Sequence, residues 1–419
     1  MLGKGIHGLV LKGRFDGGLI LDSEIMQFYA QCGDLDGAFR VFDRMEERDV
    51  VCWTTMITAC SQLGRGTEAL ILFLKMLKEG VEPNEFTVCS VLNACGDEEL
   101  RFGRQLHGAI IKNKYRMDVY VGTSLIDMYA KCGEIEDARF VFDGMRWRNT
   151  VTWTSMISGY ARNGIGDAAI RLFRLMKRRK IYTNGLTVVS ILRACGLLRS
   201  LATGKELHAQ IIKGNVQSNI YIASSLVWLY CKCGEYSTAF NILQDMSFRD
   251  VVSWTAMISG CADLGHEYEA LGYLKEMLGE GVDPNSFTYS SALKACAELE
   301  DIKQGKLIHT SINKSPALPN VFVGSALINM YARCGHLSDA IRVFDNMPER
   351  NLVSWKSMVA AYAKNGLCAE AFKLIYRMQA EGMELDDYIL SMVLTACGDF
   401  EWNKKPDEYS VLTVDHGEI

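Results

Sequence analysis

Apolar positions fall on helical spacing along almost the whole chain. In 50–84, Trp53, Met56, Ile57 and Cys60 stand at i, i+3, i+4 and i+7, one face of a helix. Gly64 interrupts, and Ala69, Leu72, Phe73 and Met76 repeat the spacing. Gly80 is placed to stop the second helix, with Pro83 just beyond it. The stretch predicts two antiparallel helices of ~12 residues joined by a short turn. In 119–149 the stripe is Leu125, Met128, Tyr129 and Cys132, and Gly133 ends the helix. This spacing predicts Cys132 as a small buried residue at a helix–helix contact.

The hairpins recur on a ruler. Trp53, Trp153, Trp254 and Trp355 are separated by 100, 101 and 101 residues. So are Cys32, Cys132, Cys233 and Cys334, then Cys95, Cys195, Cys296 and Cys397, and His7, His107, His208 and His309. Each super-period divides into units of 35, 35 and 31 residues, with one 34-residue exception. Eleven complete units result: 19–49, 50–84, 85–118, 119–149, 150–184, 185–219, 220–250, 251–285, 286–320, 321–351 and 352–386. Residues 1–18 and 387–402 read as partial units, and 403–419 as a polar, disordered tail. Stacked hairpins of this kind form an all-α, right-handed superhelical α-solenoid, in which no unit buries its apolar faces alone.

Composition narrows the function classes. Of 419 residues, 49% are hydrophobic and only 6 are proline, which favours helix. The formal net charge of −5 argues against bulk, sequence-blind attraction to phosphate, and leaves a locally basic groove open. Fourteen cysteines contain no C-x-x-C, so the commonest zinc and dithiol spacings are absent, and the ruler cysteines read as small hydrophobes. No apolar run reaches the ~18 residues that span a bilayer, so no membrane partner is expected. No P-loop, G-x-S-x-G or paired-carboxylate constellation stands out. His416-Gly417-Glu418 matches H-x-E, but no cysteine pair follows to hold a deaminase zinc. The expectation is a protein without cofactors that is not an enzyme.

The unit VVSWTAMISGCADLGHEYEALGYLKEMLGEGVDPN (251–285) resembles the pentatricopeptide repeat. The 35/35/31 cycle is similar to the P, L and S units of the plant PLS subclass, and LINMYARCGHLSDAIRVFDNMPERN (327–351) to its short S motif. The resemblance covers residues 1 to about 402, without a recognisable E or DYW extension. It implies organellar, sequence-specific binding of single-stranded RNA, one base per repeat. In that family the fifth and last residues of a repeat read the base, and the second packs against it. The implied pairs are Ser23 with Asp49, Thr54 with Asn84, Thr123 with Asn149, and Thr154 with Asn184. They continue with Ser224 and Asp250, Thr255 and Asn285, Ser325 and Asn351, and Lys356 and Asp386. The implied second residues are Val51, Val151, Val252 and Val353 in P units, and Ile20, Tyr120, Tyr221 and Phe322 in S units. In the family a fifth-place hydroxyl goes with purines, a final Asn with adenine and a final Asp with guanine. The implied target, 5′ to 3′, is G-A-x-A-A-x-G-A-x-A-x. The x positions belong to L units, whose fifth residues are Cys89, Val189, Ser290 and Ser391, and to the unit carrying Lys356.

Ordinary helix chemistry accounts for the same residues another way. First-turn hydroxyls cap helices, and Asn and Asp favour the turns where units end. Lys131, Lys232, Arg333 and Lys364 share one repeat position, which fits either a phosphate contact or a solvated charge. The basic run 176–180 suits the C-terminal end of a helix. The L-unit histidines and the ruler tryptophans read as packing residues. Three functions follow. The first is a site-recognition factor for C-to-U RNA editing or transcript processing and stabilisation, with a deaminase or accessory editing factor in trans. The alternatives are a protein-binding helical-repeat scaffold, or a deaminase fragment whose catalytic end lies past Ile419. The chain starts inside a repeat, so a transit peptide for chloroplast or mitochondrion is expected upstream of Met1.

Overall fold

A computed structural model describes residues 19–112, 118–214, 219–314 and 320–383, with residues 389 and 391. Asp386, the side chain of Ile20, residues 1–18 and 403–419, and most of 387–402 lie outside the described residues. Every regular element among the described residues is a helix, 22 in all. The protein is an all-α repeat solenoid that divides into two compact units, 1–210 and 211–419.

The first unit contains α1 (Leu19–Gln31), α2 (Leu35–Arg44), α3 (Val50–Gln62), α4 (Gly66–Lys78), α5 (Glu85–Ala94) and α6 (Leu100–Ile111). It continues with α7 (Val119–Lys131), α8 (Ile135–Gly144), α9 (Thr150–Arg162), α10 (Gly166–Arg178) and α11 (Gly185–Leu197). The odd-numbered helices form one layer, each packed on the next, and the even-numbered helices back them. Helix α12 (Leu201–Lys213) follows. In the second unit the layer is α13 (Ile220–Lys232), α15 (Val251–Leu264), α17 (Ser286–Glu298), α19 (Val321–Arg333) and α21 (Leu352–Lys364). Its backing helices are α14 (Tyr236–Asp245), α16 (Glu267–Gly279), α18 (Ile302–Lys314), α20 (Leu337–Asn346) and α22 (Cys368–Ala380).

Local chemistry sets where the layer helices begin. Asp49, Asn84, Asp118, Asn149, Asn184, Asn219, Asp250, Asn285, Asn320 and Asn351 each cap the helix that follows, the side-chain oxygen accepting a first-turn backbone N–H. Each cap satisfies an otherwise orphaned donor and contributes about 1 kcal/mol. At the other end Gly133 adopts φ +75°, a left-handed turn that a side chain disfavours.

The core lies between the layers. Trp53, Trp153, Trp254 and Trp355 are fully buried, as their stripe predicts. Phe42, Phe142 and Phe344 meet the tryptophans Trp53, Trp153 and Trp355 edge-on, with centroids about 5 Å apart, 4.8, 5.1 and 5.0 Å in turn. Short units are locked by an arginine near their end: Arg48, Arg148, Arg249 and Arg350 each donate to two carbonyls of the preceding helix.

The ruler cysteines differ from expectation. Cys132 and Cys334 are half-buried helix-terminal residues, Cys233 is half-buried, and Cys32 is exposed. The helical stripe continues through Tyr129, but the helix ends before a further turn carries Cys132 into the interface. In the other series Cys95, Cys195 and Cys296 are buried. Burial pushes Cys95 and Cys296 up to about 12, so they stay protonated.

Candidate nucleic-acid interface

In each repeat from 50–84 to 352–386 the second residue is exposed. Val51, Val151, Val252, Val353, Tyr120, Tyr221 and Phe322 are all exposed. The sequence reading named these and missed Phe86, Leu186 and Phe287, which occupy the same place in L units and are equally exposed. A rule stating that second residues are apolar in all three unit types would have found them.

Between α1, α3 and α5 lies a cavity of about 380 Å³. Val51 and Phe86 flank it, and Thr54 and Asn84 line it with Gln27 and Gln62. Thus the second residues of two successive repeats bracket the fifth and last residues of the first. An adjoining cavity of about 310 Å³ shares Thr58 and Gln62 and leads to Asp127 and Lys131. A larger cavity of about 610 Å³ lies elsewhere, at α18, α19 and α20, and is lined by none of the sequence-predicted readers, although the α19 cap Asn320 borders it.

The last residues hold a fixed orientation. Oδ1 of Asn84 accepts from the Thr87 backbone at 2.9 Å, and Asn149, Asn184 and Asn285 accept from Thr152, Thr187 and Thr288 at the same 2.9 Å. Only an oxygen can accept that N–H, so the amide NH₂ is left pointing away from the helix. The same threonines use their hydroxyls a second time. Thr87, Thr152, Thr187 and Thr288 approach Oδ1 at 2.8–3.0 Å, and Thr54, Thr123, Thr154 and Thr255 at 2.6–2.8 Å. At Thr54 a hydroxyl thereby joins the fifth and last residues of one repeat across the boundary to the next; at Thr123, Thr154 and Thr255 a carbonyl four residues back competes for the fifth-place proton.

Three other pairs are arranged differently. Ser23 Oγ lies 3.0 Å from Cys52 Sγ, and Ser224 reaches Asp250 directly at 3.4 Å. Ser354 turns its hydroxyl back to the Asn351 carbonyl at 2.8 Å, and Ser325 bonds the Val321 carbonyl at 2.8 Å. Fifth residues do not cap, contrary to the ordinary-chemistry expectation. Thr123, Thr154, Thr255 and Ser224 instead bond a carbonyl four residues back. Thr154 is 1% exposed, so its hydroxyl supports the repeat from within.

At the boundaries after L units the third residue is Val121, Ile222 or Val323, and no hydroxyl joins the pair there. Asn320 also spends an amide N–H on Ser286, at 3.1 Å. Cys89 is half-buried, and burial raises its thiol.

The shared cationic position carries carboxylates beside it. Lys131 pairs with Asp127 at 2.8 Å, Lys232 with Asp263 at 2.8 Å, and Arg333 with Glu298. The L-unit histidines pack as expected: Nδ1 of His107 and His309 lies 2.9 and 2.8 Å from the hydroxyls of Tyr129 and Tyr331. Among the described residues no His, Cys, Asp and Glu group is arranged to hold a metal ion. None of the described helices is long and apolar enough to cross a membrane.

The profile described as "PPR repeat family" matches residues 48–97, 148–196 and 249–298. That described as "PPR repeat" matches 25–50, 123–150, 221–251, 325–352 and 353–383. A chloroplastic pentatricopeptide repeat-containing protein of Arabidopsis thaliana is 61% identical over 96% of this chain and 65% of its own length. A second Arabidopsis thaliana pentatricopeptide repeat-containing protein is 34% identical over 94% of this chain and 70% of its own. A mitochondrial one is 34% identical over 94% of this chain and 58% of its own. The chain thus spans about two thirds or less of most of these relatives. The crystal structure of the pentatricopeptide repeat protein PPR10 with an 18-nucleotide psaJ RNA element matches at TM-score 0.67 and 19% identity, over 91% of this chain and 58% of that one.

Proposed function

The chain belongs to the pentatricopeptide repeat family, and from that premise we propose that it binds single-stranded RNA by sequence, one base per repeat, inside an organelle. The observation that carries this reading is the slot bracketed by Val51 and Phe86, with Thr54 and Asn84 on its wall. Apolar side chains on either side suit the two faces of an unpaired base. The polar pair suits its Watson–Crick edge.

Helix capping explains how the last residue discriminates. The cap consumes one side-chain oxygen in both Asn and Asp. Asn then offers an NH₂, a donor suited to adenine N1. Asp offers its second carboxylate oxygen, an acceptor suited to the N1–H and N2–H of guanine. This supports A at Asn84, Asn149, Asn184, Asn285 and Asn351, and G at Asp49 and Asp250. Lys131, Lys232 and Arg333 are the candidates for phosphate contact, exchanging a carboxylate partner for RNA.

On this reading the chain recognises and does not catalyse. It holds a transcript for processing or stabilisation, or presents it to a C-to-U deaminase supplied in trans. Relatives named chloroplastic and mitochondrial favour one of those two compartments. The test is binding of 5′-GAUAAUGAUAU-3′, a permuted RNA of equal composition, and polyuridine. The reading expects the first to bind at least about tenfold tighter than the others. Equal or absent affinity for all three would favour a protein-binding scaffold.

A further inference from the structure

We propose that the threonine at the third place of the following repeat is a positioning residue for base discrimination. It sets the orientation of the Asn that ends the repeat before it. The inference rests on the RNA-reading proposal and adds a residue to it.

At the Asn84 slot, Thr87 makes every contact that fixes the amide. Its backbone N–H and its hydroxyl both reach Oδ1, each at 2.9 Å, and its oxygen lies 3.3 Å from the Asn84 N–H. Turning the amide over would set its NH₂ against the fixed Thr87 backbone N–H and would force the Thr54–Thr87 hydroxyl run to reverse. The same hydroxyl lies 2.6 Å from Thr54. Two hydroxyl protons fill both contacts in one continuous run, Thr54 to Thr87 to Asn84. That run leaves the lone pairs of Thr54 and the NH₂ of Asn84 for a base. Thr87 itself is 0% exposed, so it acts only through the residues it holds.

The pattern within the chain separates this role from general packing. All four Thr-and-Asn pairs have a third-place threonine, Thr87, Thr152, Thr187 or Thr288. Pairs with a fifth-place serine have Cys52, Ser253 or Ser354 instead, and Ser253 and Ser354 bond the backbone of the capping residue. Boundaries after L units have Val121, Ile222 and Val323. The bridge is therefore a property of one class of reader.

The experiment uses the full chain with 5′-GAUAAUGAUAU-3′ and the same RNA carrying G at its second base. Thr87→Val keeps the shape and removes the hydroxyl. It is expected to reduce the A-over-G preference at that base about fivefold, the equivalent of one hydrogen bond. Thr87→Ser should restore it, and the preference at the eighth base, assigned to Asn285, should stay unchanged. Asn84→Asp is run beside it. If Asn84→Asp shifts the preference toward G while Thr87→Val keeps the wild-type ratio, the positioning role is overturned and the reading survives. If Asn84→Asp shifts nothing, the reading of this repeat falls and the inference with it. Should Thr87→Val fail to fold, the double variant Ser325→Thr, Ser354→Thr builds a bridge at Asn351. A sharper A-over-G preference at the tenth base would support the role, and an unchanged one would overturn it.

Discussion

Lys232 and Lys294 converge on Asp263, donating to separate carboxylate oxygens at 2.8 and 2.7 Å. Burial alone would raise this carboxyl, but the two lysines outweigh it and hold it below the usual range. Two cations of the layer proposed to face RNA are thus committed to one anion. Replacing Asp263 by Asn releases them. The expected outcome is tighter RNA binding and a steeper loss of affinity with added salt, read from titrations at several salt concentrations. Unchanged affinity and slope would mean that neither lysine reaches phosphate.

Arg148 locks the loop after α8 onto the end of that helix. Its Nε donates to the Phe142 carbonyl at 2.6 Å, a terminal nitrogen donates to the Asp143 carbonyl at 2.7 Å, and the guanidinium lies 4.7 Å over the Phe142 ring. Lysine cannot hold this fork. Arg148→Lys should lower stability by about 1–2 kcal/mol. Hydrogen exchange should localise the loss to 135–149, and protection equal to wild type there would contradict the role.

Burial lowers His107, His208 and His309 below the ordinary histidine value, with Asp137 and Asp339 opposing the shift at His107 and His309. Folded, these rings bind protons less readily than in the unfolded chain. Their stabilisation is therefore complete above the unfolded value of about 6.5 and is lost as pH falls from there toward the folded values. The melting temperature should drop between pH 7 and 5.5. The His107→Gln, His309→Gln variant should show a smaller drop, and an identical drop would rule these rings out as the source.

Gly260 on α15 packs against Cys231 on α13, where an added methyl would meet the cysteine's Cβ and Sγ. Neither atom is the far end of a flexible side chain. Gly260→Ala should destabilise by about 1–3 kcal/mol. A melting temperature equal to wild type would show that the two helices separate without cost.

The repeat architecture was legible because the stripes are periodic and the landmarks recur. Trp153 could be assigned to the core from its spacing alone. Cys132 could not, because whether the last turn of a helix reaches its neighbour depends on where the cap falls. The pairing of Thr54 with Asn84 came from the family resemblance, whereas the part played by Thr87 is visible only once two repeats are docked. Lys131 and Lys232 looked alike in sequence as cations for phosphate. Asp127 stands four residues before Lys131 on the same helix, a spacing the sequence already shows, whereas Asp263 lies in the repeat after Lys232, so that ion pair appears only in three dimensions. Val189 and Cys89 signalled from sequence that L units lack the usual hydrogen bonds, and the aliphatic residues after those units agree.

The most direct measurement is the base preference of Asn184→Asp. Wild-type and variant chains are titrated with 5′-GAUAAUGAUAU-3′ and with the same RNA carrying G at its fifth base. Since the cap spends one oxygen in either residue, the variant replaces an outward donor by an outward acceptor. The account predicts a reversal from A to G at that base of about tenfold in each direction, with the other positions unaffected. An unchanged preference for A would contradict it.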